Sequence, residues 1–189
     1  MNHDDIVKLH QWYDSLQRTK RDAEIIGEIE LRIRSTQDQE TVKYLTSILA
    51  SELRRQEKYP EAETTLLGLA ANFPDDPAPL ISLAEQELYF EQNPAKALSL
   101  ADRALERAHR YGNFRRQALG VKARIALKLG RYDLVEGVLQ TLMDLTFESG
   151  NIDVGVERDF FDRLPPGAIS QQLFNKYDLF ARSEPNRSP

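Results

Sequence analysis

Small residues recur along residues 43 to 143 at a near-constant spacing, and this repeat constrains the fold more than any other feature of the chain. One set, Ala50, Ala84 and Ala123, is separated by 34 and 39 residues, and a second set, Ala62, Ala97 and Val135, by 35 and 38 residues. Periods of this length are typical of helical repeat arrays, in which each pair of helices buries its apolar face by stacking on its neighbours. The chain is therefore predicted to be an all-α protein built from stacked antiparallel helix pairs.

Turn signals separate the two helices of each predicted pair. Pro60 and Pro94 stand near the start of the second helix in the first two pairs, where a proline needs no backbone N–H and its fixed φ suits the opening turn. In the third pair Gly130 suits the left-handed conformation that ends a helix. These signals predict a helix, a turn and a helix in each repeat.

The pattern predicts four segments. Residues 1 to 36 carry two apolar stripes at helical spacing and are expected to form a hairpin, either as a cap or as a degenerate repeat. Residues 37 to 147 hold the three repeats. Residues 148 to 181 are rich in aromatic residues and are expected to cap the array, with occupation of its groove as the alternative. Residues 182 to 189 are expected to be a flexible tail.

The composition argues against several classes of protein. With 41% hydrophobic and 29% charged residues, the chain is expected to be neither disordered nor embedded in a membrane. It has no cysteine, which excludes disulfides and thiolate metal sites. The first residues lack the basic start and apolar stretch of a secretory signal, so a cytoplasmic protein is expected. The net charge of -5 argues weakly against a general nucleic-acid binder.

The repeats resemble the tetratricopeptide repeat, a unit of about 34 residues with two antiparallel helices. The family favours a leucine followed by a small residue in the first helix, and Leu49-Ala50 and Leu83-Ala84 match it, whereas the third repeat has Lys122-Ala123. Gly130-Arg131-Tyr132 matches the family's Gly-x-Tyr turn, and Pro74 its terminal proline. The resemblance covers about half of the chain and implies a right-handed helical-repeat solenoid with capping helices at both ends.

The resemblance also implies a function, since the concave face of such a solenoid binds an extended or helical peptide. The groove positions carried over from the family are Tyr44, Ser47, Ser51, Arg54, Arg55, Glu85, Tyr89, Gln117, Arg124 and Lys128. The arginines are expected to attract acidic side chains, and the tyrosines to supply contact area. Family members that grip a free C-terminal carboxylate use a clamp of lysine and asparagine, which this chain lacks, so binding of that kind is not expected. The sequence thus predicts an adaptor or assembly scaffold, with a dedicated secretion or assembly chaperone for one client as the alternative.

Two other interpretations use different parts of the chain. Arginines and aromatic residues alternate in the basic segment, residues 103 to 116, which is a weak footprint of nucleic-acid binding. Glu157, Asp159 and Asp162 cluster in the 150 to 181 hairpin and are a candidate acid-base or metal site, although such acids are usually the solvated face of a helix. No His-x-x-x-His pair, phosphate-binding loop or Gly-x-Ser-x-Gly elbow occurs. A non-enzymatic protein without a metal or cofactor is therefore predicted.

Overall fold

The structure, a computed structural model, describes residues 2 to 108, 112 to 149 and 158 to 183. Within these ranges the chain forms ten α-helices and no β-strand, so the all-α prediction is confirmed. The helices are α1 His3–Thr19, α2 Asp22–Ser35, α3 Gln39–Arg55, α4 Tyr59–Asn72, α5 Ala78–Tyr89, α6 Pro94–Arg107, α7 Gly112–Lys128, α8 Tyr132–Ser149, α9 Arg158–Asp162 and α10 Gln171–Ser183. Since α10 continues to Ser183, the first two residues of the predicted tail are helical, and residues 184 to 189 lie outside the described residues.

Contacts between residues divide the chain into two compact units, residues 1 to 74 and residues 75 to 189. In the first unit α1 packs on α2, α2 on α3 and α3 on α4. In the second unit α5, α6, α7 and α8 pack in the same consecutive order, α7 also lies against α5, and α10 packs on α8. The three predicted helix pairs are α3 with α4, α5 with α6, and α7 with α8. The first of these pairs belongs to the same unit as the N-terminal hairpin.

Polar side chains and prolines mark the beginnings of the helices. The Asn2 side chain accepts the backbone N–H of Asp5 at 2.9 Å, and the Asp5 carboxylate accepts that of Asn2 at 3.2 Å, which forms a capping box on α1. Asp38 and Asn93 cap α3 and α6 by accepting backbone N–H groups at 2.8 and 3.1 Å. Pro60 lies in the first turn of α4, as its position in the sequence predicts.

Each helix pair turns through one residue with a positive φ. Gly130 has a φ of 68°, which confirms the left-handed conformation predicted for it, but Glu57 and Gln92 adopt φ angles of 60° and 53° in the other two turns. After Glu57, the Lys58 N–H donates to the Leu53 carbonyl at 2.9 Å, and the residue after Gly130 makes the same bond to the fifth residue before it. This is the Schellman end of a helix, which satisfies carbonyls that the helix leaves unpaired. In the second turn the bond spans one residue more.

The repeating small residues all lie at buried contacts between helices. Each is at most 1% exposed: Ala50, Ala62, Ala84, Ala97, Ala123 and Val135. The distance between two packed helices depends on the side chains at their contact, so small residues at these points let the paired helices approach closely. The period in the sequence is therefore a period in helix packing.

Each unit has a hydrophobic core. In the first unit, α1, α2, α3 and α4 contribute Leu16, Ile25, Ile29, Ile48, Leu49, Leu53 and Ala62. In the second unit, α7 and α8 share a core with the C-terminal helices, to which α9 contributes Phe160 and α10 contributes Leu173 and Tyr177. The Phe160 side chain is 1% exposed, so the described part of the C-terminal hairpin, residues 158 to 183, is packed against the last helix pair.

Glycine at position 57 or 92 is expected to stabilise the protein. A non-glycine residue in the left-handed region costs about 1 kcal/mol or more, and both Glu57 and Gln92 are exposed, so their side chains bury little surface. Glu57→Gly and Gln92→Gly should each raise the free energy of unfolding in urea by about 0.5–1 kcal/mol. Arg103→Gly, at an exposed position inside α6, is the matched control and should lower it by about 1 kcal/mol. If all three variants had the same decrease in the free energy of unfolding, the positive φ of Glu57 and Gln92 would not be a source of strain.

Candidate partner-binding site

The predicted groove residues divide between the two units. Tyr44, Ser47, Ser51, Arg54 and Arg55 lie on α3 in the first unit, and Glu85, Tyr89, Gln117, Arg124 and Lys128 lie on α5 and α7 in the second unit. Within each helix the spacing of three, four or seven residues places most of these positions on one face.

On α3, several of the predicted side chains already have partners inside the first unit. The Tyr44 ring is half-buried and meets the His10 ring edge-on, with 5.5 Å between ring centroids and a hydrogen bond between the Tyr44 hydroxyl and His10 Nε2. Burial raises the pKa of the Tyr44 hydroxyl. The hydroxyls of Ser47 and Ser51 donate to backbone carbonyls one turn earlier, each at 3.1 Å, and Arg54 is half-buried. Tyr44, Ser47 and Ser51 therefore already make hydrogen bonds within this unit.

Arg55 belongs to a network centred on the buried carboxylate of Glu52. The guanidinium donates to both Glu52 oxygens at 2.9 and 2.6 Å, and also to Asp22 Oδ1 at 2.5 Å. The Tyr13 hydroxyl donates to Glu52 Oε2 at 2.7 Å, and Gln56 Nε2 donates to Glu52 Oε1 at the same distance. The network thus joins α1 and α3 at the Glu52 carboxylate and adds α2 through the contact between Arg55 and Asp22. Arg55, which was predicted to be a cation of the groove, is therefore part of a network within the first unit.

The hydrogen bonds at Glu52 keep its carboxylate ionised. Burial by itself raises the pKa of Glu52, but the hydrogen bonds from Arg55, Tyr13 and Gln56 outweigh burial and lower this pKa from 4.5 to about 2. Burial and the nearby carboxylate raise the pKa of the Tyr13 hydroxyl well above 10, so it stays protonated and keeps donating. A buried charge is tolerated here because its acceptor oxygens receive donors from several directions.

In the second unit, α5 and α7 lie side by side and bring four of the predicted residues together. Arg124 lies 3.6 Å from Glu85 across the two helices, and Lys128 Nζ donates to the Leu88 carbonyl at 2.9 Å. The Tyr89 side chain, at the end of α5, is 51% exposed. Gln117 is exposed but lies seven residues before Arg124, which is about two helical turns along α7. The structure thus groups Glu85, Tyr89, Arg124 and Lys128, and leaves Gln117 apart.

A cavity of about 390 Å³ opens beside this group, and it is named the α5–α7 cavity below. Leu88 and Tyr89 of α5, Arg124, Leu127 and Lys128 of α7, Tyr132 of α8, and Phe160, Arg163 and Pro165 from the C-terminal segment line it. Its volume lies in the range of pockets that hold small ligands or a few side chains. Three of the residues carried over as groove positions therefore share one concave site.

Sequence reasoning missed the part of this site that comes from outside α5 and α7, the first helices of their pairs. Tyr132 is the aromatic residue of the Gly-x-Tyr turn. Its match to the repeat pattern indicated a structural role, so its contribution to the cavity was not predicted. Phe160, Arg163 and Pro165 lie in the segment expected to cap the array. Phe160 is a buried core residue that also lines the cavity, and the aromatic residues of this segment were the signal in the sequence that it packs closely.

The other candidate segments are partly engaged in the fold. In the basic segment, Arg107 donates to the Asp76 carbonyl at 3.5 Å and Arg116 to the Leu145 carbonyl at 3.1 Å, while Arg110 and Tyr111 lie outside the described residues. In the acidic cluster, Asp162 is exposed, and Glu157 and the Asp159 side chain lie outside the described part. Within that part, no group of three or more His, Asp or Glu side chains is placed to hold a metal ion.

Comparison with known proteins finds no matching family model, no similar curated protein and no similar solved structure. Among the described residues, no helix has both the length and the apolar character needed to cross a membrane. The arrangement of side chains on α3, α5 and α7 is therefore the basis for assigning a function.

The Glu52 network should make the stability of the protein sensitive to acid. Because the pKa of Glu52 is about 2 in the folded state and near 4.5 when unfolded, its contribution is complete above about pH 4.5 and is lost as the pH falls toward 2. Glu52→Gln should lower the free energy of unfolding at neutral pH by about 1.5–3 kcal/mol and flatten its fall between those pH values. Urea unfolding at a series of pH values measures both effects.

Glu28→Gln is the matched control for this experiment. Glu28 lies in the same unit and forms an exposed ion pair with Lys20 at 3.5 Å, which is expected to contribute at most about 1 kcal/mol. If the two variants have the same pH dependence, the buried network does not control acid stability.

Proposed function

We propose that the protein is a non-enzymatic interaction module, an adaptor or assembly scaffold, that binds a segment of a partner protein. We further propose that its three helix pairs are tetratricopeptide-like repeats. This rests on the burial of the repeating small residues and on the positive φ in all three turns. The right-handed solenoid implied by the resemblance stays a prediction.

The residues that line the α5–α7 cavity give the main support for the proposal. Tyr89, Arg124 and Lys128, which the family pattern assigns to the groove, line a single open cavity on neighbouring helices. An exposed aromatic side chain next to positive charges is the kind of site that dominates binding energy at protein interfaces. In the first unit, by contrast, Tyr44 and Arg55 are engaged by His10, Glu52 and Asp22. We therefore place the principal contact with the partner on the α5 and α7 face.

This site favours protein binding over nucleic-acid binding, and it is compatible with both an adaptor and a dedicated chaperone. Nucleic-acid binding through the basic segment would use arginines of which two already bind backbone carbonyls. A dedicated chaperone would use the same α5 and α7 face, and it differs from an adaptor in its effect on the partner. Co-expression with the partner distinguishes them, since a chaperone keeps an otherwise insoluble client in solution.

Removal of the Tyr89 ring should weaken peptide binding without unfolding the protein. We expect a random-peptide display selection on the full chain to enrich a set of binding sequences. Tyr89→Ala should weaken the best of these about tenfold or more, because an exposed aromatic anchor contributes about 1.4 kcal/mol or more. Fluorescence anisotropy with a labelled copy of the selected peptide measures the change in Kd.

The neighbouring residue provides the control. Phe90 is 47% exposed and close in size to Tyr89, but it does not line the cavity, so Phe90→Ala should leave the Kd within about twofold of the wild-type value. A selection that enriches no sequence overturns the proposed function. Equal losses for the two variants would move the contact away from the α5 and α7 face.

A further inference from the structure

The α5–α7 cavity combines positive charge with apolar walls. Arg124, Lys128 and Arg163 line it together with Leu88, Leu127 and Phe160. None of the described residues that line it is acidic. Like charges gathered in a concave site raise the local potential, and an anion lowers the energy of that arrangement. The cavity therefore selects a negatively charged group attached to an apolar body.

Two of these cations, Arg124 and Lys128, are only partly satisfied by the protein itself. The contact between Arg124 and Glu85, at 3.6 Å, is longer than a charge-assisted hydrogen bond. The Arg124 Nε is buried and has no hydrogen-bond acceptor among the described residues. Lys128 uses one of its three donors on the Leu88 carbonyl. Lys128 therefore retains donors for an incoming acceptor, and the long contact between Arg124 and Glu85 leaves room for a ligand carboxylate to compete with Glu85.

Two tyrosines lie beside these cations. Tyr89 and Tyr132 both line the cavity and are 51% and 36% exposed. Each offers a ring for apolar contact and a hydroxyl that donates hydrogen bonds. A ligand that carries a carboxylate next to a ring or a large aliphatic group would meet both kinds of surface at once.

We propose that this cavity binds an acidic side chain of the partner, Asp or Glu, together with an adjacent aromatic or large aliphatic side chain. The inference rests on the proposed function and adds to it the chemistry of the bound segment. It also makes Arg163 a ligand-binding residue, although this arginine comes from the C-terminal segment and from none of the repeats. The bound group is a side-chain carboxylate within the partner's segment, and no free chain end is needed.

The test uses the full chain and a matched pair of uncharged-end probes, acetyl-Phe-Glu-amide and acetyl-Phe-Gln-amide. NMR chemical-shift titration should show saturable binding of the Glu probe and about tenfold weaker binding of the Gln probe, since the two differ chiefly in the charge of one side chain. Arg163→Glu should weaken binding of the Glu probe about tenfold or more, and Arg163→Lys, which keeps the charge, should restore most of it. Added salt should weaken the Glu probe more than the Gln probe.

Arg131→Glu is the control for charge. Arg131 is an exposed residue of the same unit, paired with Asp133 at 3.7 Å, and it does not line the cavity, so this variant should bind the Glu probe as the wild type does. The inference is overturned if the wild type binds neither probe, if the two probes bind equally, or if Arg163→Glu and Arg131→Glu have the same effect. The peptide selection described above is independent of these probes, so a failure of the cavity assignment is distinguishable from a failure of the proposed function.

Discussion

The close approach of paired helices at small residues is the constraint on which the rest of the structure depends. Ala62, Ala97 and Val135 open the second helix of each pair and are fully buried, so a larger side chain there would push the pair apart. In the second unit the same packing sets α7 beside α5, and only that placement brings Tyr89 of one helix near Arg124 and Lys128 of the other. The proposed binding surface thus depends on the packing of two helices, because no single helix contains it.

Much of the fold could be predicted from the sequence, because the signals are local. Pro60, Asn93 and Gly130 act through their own backbone or the next turn, and the spacing of alanines reports helix packing directly. The positive φ of Glu57 and Gln92 could not be predicted, because neither residue type favours it and the closing of the helix pair imposes it. The division of the chain into two units after Pro74 could not be predicted either. It depends on which helices contact each other, and the repeat pattern runs through that point without interruption.

The candidate site was predictable where one helix face decides it. Arg124 and Lys128 are four residues apart, so helical spacing places them on one face of α7, and both line the cavity. Such spacing could indicate the pairing of Arg55 with Glu52, three residues away on the same helix, but not the second contact of Arg55, with Asp22 on α2. Arg163 was missed for a related reason. Its contribution to the cavity depends on how the C-terminal segment packs through Phe160, and no periodicity in the sequence encodes that contact.

The Glu52 network limits which helices of this chain could replace one another. In the other repeats the equivalent position, two residues after the small residue of the first helix, is occupied by Gln86 and Ile125, and both are buried as Glu52 is. Arg55 and Gln56, which follow Glu52 directly in the chain, would accompany α3 to any other position, but Tyr13 comes from α1, and Asp22, which binds Arg55, comes from α2. The three helix pairs are therefore not interchangeable. Exchange or duplication of α3 would leave Glu52 without the hydrogen bond from Tyr13, and loss of a partner of a buried charge is destabilising.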